Sequence, residues 1–478
     1  MSLVQTKKQT SLLRHPAIYT DYYELTMAQG YYLAGRKDER ACFDYFFRDN
    51  PFDGGYVVFA GLADLLELID DFQFHEDEIQ YLAEQGFRKE FLNYLRDFRL
   101  QVDIDAAKEG EIVFPSTPLL RVEGSIIETQ ILETLILNIL NFESLIATKA
   151  SRMKYAAGDK KVLDFGLRRA QGYGGIQASK AAIIGGVEAT SNTYSSFVHD
   201  IPASGTMAHS WIQSFDDELT AFRKYAEFYP DDCILLVDTY STLKSGVPNA
   251  IKVAKELEEK GHRLKGIRLD SGDLAYFARK SRQQLDEAGL DYVKIAVSNQ
   301  LDEHLIKSLL TQNAPIDLFG VGTRLATGND SPALDGVYKL ASVNNEPKLK
   351  LSENVEKITL PGRKKVMRYS DSQGRFYGDG ILLMENDPGN VIHHPHYPAK
   401  HVNISSYQAE PLLSTVVKNG KVQIDIPTPI ESAQYAKQRL SKLNEEHKRF
   451  DNPHIYKVGI SEKLMDLRDT LTQKLKEN

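Results

Sequence analysis

The sequence predicts an α/β protein, an irregular TIM-like α/β barrel with an accessory β-rich domain built from N- and C-terminal segments. Three observations predict it. Short apolar runs at 162–165, 233–237, 264–269, 292–297 and 316–319 are separated by helical patterns, clearest at 246–260, 273–288 and 301–312. Strand-helix-strand repetition at this spacing argues for a parallel sheet. Each run is also followed by residues suited to chemistry: Arg168 and Arg169, then Asp238, then Asp270 and Asp273, then Ser298 and Asn299, then Gly320, Gly322 and Thr323. Barrels assemble their sites at the carboxyl ends of many strands, whereas an open doubly wound sheet gathers its ligand at one switch point. The third observation is β texture on both flanks. It runs over 101–123, broken by Gly110, Pro115 and Pro118, and again from Gly336 to 426, with turn signals at Pro361-Gly362, Gly374, Gly378 and Asn419-Gly420.

In chain order, 18–35 carries apolar and aromatic residues at helical spacing after Thr20 and Asp21, either of which suits a helix cap. The stretch 41–47 alternates as a strand does, and 61–72, 76–85 and 89–98 have short amphipathic helical patterns. A long helix is predicted over 128–157, dense in Leu and Ile through Asn141 and then polar around Lys149, Arg152 and Lys154; it is expected to pack across the barrel. The charged helical patterns 431–449 and 461–476 read as solvated faces. The resulting division is 1–130 as a mixed segment contributing to the accessory domain, 131–340 as the barrel with the active site, 341–430 as a β-rich segment joining the accessory domain, and 431–478 as a helical end.

A chain of 478 residues exceeds the about 250 that one barrel uses. With 42% hydrophobic and 26% charged residues it has the composition of a soluble globular protein, and no apolar run approaches the roughly 20 residues of a membrane span. Lys7, Lys8 and Arg14 are not followed by the apolar segment of a secretory signal, so the expected compartment is the cytoplasm. Cys42 and Cys233 are too few and too isolated for a disulfide framework or a thiolate metal site. A net charge of -8 argues against nucleic acid as the main partner, while permitting a local basic pocket for an anionic small molecule.

Four stretches carry chemistry. In Gly205-Thr206-Met207-Ala208-His209-Ser210 an imidazole lies among hydroxyls, able to pass a proton near neutral pH or to act as a nucleophile toward phosphorus; the alternative is a capping or core histidine. The segment 165–172 sets Arg168 and Arg169 in a glycine-flanked loop, where one of them, assigned as Arg169, suits a carboxylate or phosphate and the other a surface salt bridge. Strand alternation puts Arg268 and Asp270 on one side at a strand end; Arg268 suits an anionic group, and Asp270 and Asp273 suit ribose hydroxyls or a Mg²⁺ ion carrying diphosphate, with a structural Arg-Asp pair as the alternative. The glycines of Phe319-Gly320-Val321-Gly322-Thr323 would let backbone N–H groups approach a phosphate, or simply make a tight turn. His393, His394, His396 and His401 read as a surface loop, since Pro395 and Pro398 break any regular ligand spacing.

Taken together these motifs resemble the nicotinate phosphoribosyltransferase family. The matching stretches are 20–28, 165–172, 205–210, Asp238-Thr239-Tyr240, 245–249, 268–273, Ser298-Asn299, 319–323 and 336–340, in order along most of the chain. The resemblance implies a type II phosphoribosyltransferase fold. It also implies reaction of nicotinate with phosphoribosyl pyrophosphate to nicotinate mononucleotide and diphosphate, coupled to ATP hydrolysis, in the salvage route to NAD, and a homodimer with active sites near the subunit interface. By motif, His209 is the histidine phosphorylated by ATP, Tyr23 and Thr206 lie at the nicotinate site, Arg268 meets the carboxylate and Thr323 contacts the sugar phosphate. Arg169, Gly320, Gly322 and the catalytic carboxylate Asp270 come from local chemistry, and Mg²⁺ is the expected metal. Motif alignment favours Tyr23 over Tyr22 for the pyridine ring.

Two competing readings remain. Nicotinamide phosphoribosyltransferase shares the chemistry but has a neutral substrate that needs no carboxylate clamp. A barrel lyase or aldolase acting on sugar phosphates would need a Schiff-base lysine at a strand's carboxyl end, for which only Lys244 and Lys294 are near.

Overall fold

The computed structural model describes residues 13–352 and 359–477, so Lys7 and Lys8 lie outside the described residues. The chain forms two compact units, Lys149–Pro332, and Met1–Thr148 together with Ala333–Asn478.

The unit Lys149–Pro332 contains six parallel strands, labelled in chain order: β1 (Lys161–Asp164), β2 (Ala189–Thr190), β3 (Ile234–Leu236), β4 (Gly266–Leu269), β5 (Lys294–Ser298) and β6 (Leu318–Val321). Its helices are α1 (Gly174–Ile184), α2 (Thr193–His199), α3 (His209–Gln213), α4 (Glu218–Phe228), α5 (Val247–Glu259), α6 (Leu274–Glu287), α7 (Glu303–Thr311) and α8 (Thr323–Ala326). The crossover helices start where a side chain satisfies a free backbone donor: Asp273 accepts from Tyr276 N at 3.0 Å before α6, and Asp302 from Leu305 N at 2.7 Å before α7. Helix α5 then buries Ala250, Val253, Ala254 and Leu257 at helical spacing.

Strand order decides between barrel and open sheet. It is β2-β1-β6-β5-β4-β3, so the first strand pairs in parallel with the last, Val162 opposite Phe319 and Asp164 opposite Val321. That closure belongs to a barrel. Among the described strands the ring is interrupted only between β2 and β3, which makes the barrel irregular. At that gap the backbone of 202–204 lies alongside β2: Thr190 N donates to Pro202 O at 3.0 Å and Ser204 N to Thr190 O at 2.9 Å, in a parallel bridge. The loop 205–210 therefore leaves from the same side as the carboxyl ends of the strands.

The other unit is β-rich and joins both ends of the chain. An antiparallel seven-stranded sheet runs Glu346–Pro347, Gly336–Val343, Arg40–Phe47, Leu120–Ser125, Asp103–Ala107, Leu413–Lys418, Lys421–Val422. The last two strands are joined by Asn419-Gly420, whose φ of +48° and +72° make the two-residue turn that matches strand twist. A six-stranded sheet uses only segments beyond 360, and helices Pro429–Ser441 and Glu462–Glu477 follow. The helices Tyr22–Leu33, Leu62–Asp70, Glu76–Glu84 and Lys89–Arg96 lie where periodicity puts them.

Three expectations change. The long helix, in two pieces Ile126–Ile131 and Glu133–Ala157, does not simply pack across the barrel: Leu132, Leu135, Ile136, Ile139 and Leu140 are buried in the core of the β-rich unit, and the boundary falls after Thr148. Beyond it Lys149 and Arg152 are buried against Glu303, at 2.9 and 2.7 Å. The stretch Ile126–Ala157 is also long and apolar enough to cross a membrane by length and composition, contrary to the sequence reading; here it is a core helix. Finally, Pro429–Ser441 is not only a solvated face, because Ser432, Ala436 and Arg439 are buried.

Candidate active site

The carboxyl ends of the barrel strands surround a cavity of about 700 Å³. Five of the six strand ends contribute: Phe165, Arg168 and Arg169 after β1, Ser191 after β2, Arg268 and Asp270 at β4, Ser298, Asn299 and Gln300 at β5, and Gly320, Gly322 and Thr323 at β6. The loop 205–210 completes the wall with Thr206, Met207 and His209. Of the site residues predicted from sequence, the cavity brings together His209, Asp270, Arg169, Thr206, Arg268, Gly320, Gly322 and Thr323.

Arg268 shows why its type matters here. It donates through Nη1 to Thr206 Oγ1, while its Nε is buried with no hydrogen-bond partner. Burial, and after it the nearby Arg168, pull the guanidinium below its ordinary value against Asp270 and Asp238, which pull it up. A desolvated cation with a donor unspent is built to receive an anion.

Asp270 and His209 form a second group. Asp270 Oδ1 accepts from Ser298 Oγ, its backbone N donates to Asp238 Oδ2 at 2.8 Å, and Asp238 also accepts from Ser271 Oγ at 2.7 Å. His209 opens α3; its Nδ1 lies 3.0 Å from Thr239 Oγ1 and its Nε2 4.0 Å from Asp270 Oδ2. It is neither a core histidine nor a helix cap: its side chain is 39% exposed and faces the cavity. Asp238, Thr239 and Ser298 thus hold the carboxylate and imidazole that the sequence singled out.

Geometry gives two of the predicted site residues a structural task. Asp273 is not among the residues lining the cavity; its carboxylate caps α6. Gly320 was read as permitting close approach of a phosphate, but a Cβ there would lie 2.4 Å from Phe165 Cε2, so packing against that ring already requires glycine. Gly322 is less constrained, a Cβ meeting Phe165 O at 3.3 Å. Asn299 and Gln300 hold φ of +87° and +48° at the cavity wall, a strained turn that the sequence did not reveal.

Beneath the β1 and β2 loops, Asp164 accepts from Gly166 N, Ser179 Oγ and Thr190 Oγ1, each at 2.7 Å, and Asn192 Nδ2 donates to Ser195 Oγ at 2.9 Å. This buried network fixes the loop bearing Arg168 and Arg169. Its signal in the sequence is weak, since each member is a single polar residue in an apolar or helical stretch.

Tyr23 belongs to the β-rich unit, in the first turn of Tyr22–Leu33, and is 47% exposed. Burial, then Glu133, Glu24 and Asp21, push its phenol up to about 12, so it stays neutral. Tyr22 instead packs edge-on against Phe87 at 5.7 Å. His393 and His401 face each other across strands Val391–His393 and His401–Asn403, with ring centres 5.4 Å apart. Neither lysine of the aldolase reading lines the cavity: Lys294 begins β5, 3.5 Å from Asp317, and Lys244 lies in the turn Thr242–Gly246.

Comparison with known proteins gives the same answer along the whole chain. Models of the nicotinate phosphoribosyltransferase N-terminal domain, family and C-terminal domain match residues 18–141, 160–376 and 363–468. The chain is 42% identical over 457 residues to a nicotinate phosphoribosyltransferase of Bacillus subtilis, covering 93% of each. It is 38% identical over 512 residues to one of Dictyostelium discoideum, covering 94% of this chain and 87% of that one. The crystal structure of human nicotinic acid phosphoribosyltransferase superposes with a TM-score of 0.84 at 32% identity, over 95% of this chain and 99% of that one. A nicotinate-nucleotide pyrophosphorylase from Pyrococcus furiosus shares the fold, with a TM-score of 0.70 at 24% identity over 91% and 98% of the two chains. With a ring of strand ends converging on an unspent arginine, and with relatives matched over more than nine-tenths of its length, this chain belongs to the nicotinate phosphoribosyltransferase family.

Proposed function

We propose that the chain transfers the phosphoribosyl group of phosphoribosyl pyrophosphate to the ring nitrogen of nicotinate, giving nicotinate mononucleotide and diphosphate in NAD salvage, coupled to ATP hydrolysis through His209. The observation that carries the choice of acid over amide is Arg268, a desolvated cation in the cavity wall beside Thr206, whose buried Nε has no hydrogen-bond partner. A neutral nicotinamide would add no anion to a guanidinium that burial holds below its ordinary value despite Asp270 and Asp238.

The ring nitrogen bonds to the ribose anomeric carbon as the bond from that carbon to diphosphate oxygen breaks. The sugar gains positive charge while diphosphate departs with the electron pair, so the chain's task is positioning and electrostatics. Arg268 and Thr206 hold the carboxylate end, Tyr23 meets the pyridine ring on the strength of its motif, and Gly322 and Thr323 receive the sugar phosphate at the turn after β6. Arg169 faces diphosphate, and Asp270 lies toward the developing positive charge. Mg²⁺ would enter with the diphosphate and neutralise its charge; Asp270 is the carboxylate lining the cavity that suits it, since such ions are commonly held by one or two carboxylates and substrate phosphates.

ATP passes its γ-phosphoryl to the His209 imidazole, releasing ADP, and water later takes that group as phosphate. Thr239 on Nδ1 fixes the ring, and the new negative charge lies toward Asp270 and the diphosphate position. The assembly is a homodimer, supported by large exposed aromatics such as Tyr173 and Phe197, 79% and 62% exposed. The cytoplasm is the compartment, consistent with two free buried cysteines.

Labelled ATP tests this. The protein should take up label that is acid-labile and base-stable, as a phosphoramidate is, and His209→Asn should lose the label and the ATP stimulation while retaining ATP-independent transfer. Full labelling of the variant would move the assignment to another histidine, with His199 next. Loss of transfer with and without ATP alike would make His209 a general acid or base instead.

A further inference from the structure

A second cavity, of about 240 Å³, lies within the β-rich unit. Strand Arg40–Phe47 alternates: Tyr45 and Phe47 are in the core, while Asp44 and Phe46 line this cavity. Asp44 is 3% exposed. Its Oδ2 lies 2.7 Å from Lys364 Nζ, which also donates to the carbonyls of Leu360 and Gly362 at 2.8 and 2.6 Å. Its Oδ1 is buried and accepts nothing. A buried carboxylate oxygen without a donor is costly, and one that lines a cavity calls for a donor from what fills it.

The surrounding charge calls for the opposite sign. Asp44 balances Lys364, and Asp469 balances Arg468 at 2.8 Å. Lys339 and Lys476 then remain, neither within ion-pair distance of a described carboxylate, with Glu133 acting on Lys339 only at longer range. Lys339 stands directly across the strand pair from Asp44, yet the two make no salt bridge, so acceptor and cation are presented separately.

We propose that this cavity binds a small hydroxylated anion, a polyol phosphate or a hydroxy acid, whose hydroxyl donates to Asp44 Oδ1 while its charged end meets Lys339 and Lys476. The volume suits such a molecule, being that of about eight water molecules at roughly 30 Å³ each. The site uses no residue assigned to the transfer reaction.

Calorimetric titration of the full chain, with nicotinate mononucleotide saturating the other cavity, would use glycerol 3-phosphate, glycerate and methyl phosphate as probes. Glycerol 3-phosphate or glycerate should bind at one site per chain, and whichever does names the source of the charge. Methyl phosphate, lacking a hydroxyl donor, should bind about tenfold more weakly than glycerol 3-phosphate. Lys339→Gln with Lys476→Gln should weaken binding by at least about tenfold. Asp44→Asn should erase the preference for the hydroxylated probe; should that variant not fold because Lys364 loses its partner, the comparison of probes on the unchanged protein still decides the point. Absence of saturable binding by either hydroxylated probe, or equal binding by the double lysine variant, would overturn the proposal.

Discussion

Arg368 and Arg268 are both strand arginines largely removed from bulk water, and the protein treats them in opposite ways. In the β-rich unit every edge of Arg368 is spent: Nε and Nη2 reach the two oxygens of Asp379 at 2.8 Å each, and Nη1 reaches Glu111 at 2.7 Å. Glu111 is further held by Arg439 at 2.8 Å and by Tyr435 at 2.6 Å. Burial, the largest influence, pulls the Arg368 guanidinium down, but Asp379 and Glu111 outweigh it and hold it well above its ordinary value. In the barrel, Arg268 has a hydroxyl at Nη1, a bare Nε and a guanidinium held below its ordinary value by burial. A structural arginine brings its counter-ions with it; under the proposed function Arg268 waits for one.

The comparison is broken most directly at Arg368. Arg368→Leu strands two buried carboxylates and should cost about 3–5 kcal/mol of stability, read as a lower melting temperature, while nicotinate KM in the surviving folded protein stays unchanged. An unaltered melting temperature would mean the cluster contributes little. Arg268→Ala should do the reverse. Losing a charge-assisted clamp is expected to remove about 2–5 kcal/mol from kcat/KM for nicotinate, with little loss of stability and a far smaller change for phosphoribosyl pyrophosphate. If the purified variant uses nicotinate as well as the unchanged enzyme does, Arg268 is only another structural ion.

The same contrast explains what was legible in the sequence. Arg268 could be found because it belongs to a local pattern, a strand end followed by Asp270, Ser271, Gly272 and Asp273, and local patterns survive in one dimension. The barrel was legible for the same reason, as repeating apolar runs. Arg368, in Val366-Met367-Arg368-Tyr369, carries no local sign of function or of burial, because its partners Glu111 and Asp379 lie 257 and 11 positions away, on neighbouring segments that only the folded sheet brings beside it. Ser298 and Thr239 were in view as motif residues, but their task of orienting Asp270 and His209 depends on which strand ends adjoin. Strand β2, with two residues, lies below the length at which periodicity exists, and Asp273 reads two ways in the sequence because a helix cap and a metal ligand share the same residue type at the same place.

Glu24 is a third case, a buried acid with no counter-ion among the described residues. Burial first, then Glu133 and Asp21, push its carboxyl up to about 7, against hydrogen bonds from Thr134 and Thr20 that pull it down. Because the folded value is raised above the unfolded one, the stabilising contribution is full below about 4.5 and is lost as pH rises through about 7. Between those limits the protein should lose at most about 3 kcal/mol from this group. Glu24→Gln should flatten the dependence of melting temperature on pH in that window and be more stable than the parent at pH 8. A parallel pH profile in the variant would show that the carboxyl titrates normally.

The smallest effect is the most diagnostic for the cavity, and it concerns Gly320. If the glycine exists so that a phosphate can approach the backbone, alanine there should weaken phosphoribosyl pyrophosphate binding whatever surrounds it. The geometry says otherwise: the new Cβ would lie 2.4 and 2.6 Å from two carbons of the Phe165 ring and 3.3 Å from Ser298 Cβ, so the ring must swing away. Phe165 itself lines the cavity, and displacing it intrudes on the substrate while straining the packing of β1 against β6. Gly320→Ala should therefore cost about 1–3 kcal/mol of stability, as overpacking does, and raise KM for both substrates. Combining it with Phe165→Leu, which removes the clashing ring carbons, should recover most of the stability and part of the KM. Failure of the second substitution to rescue either quantity would return Gly320 to the role of a phosphate-facing backbone site.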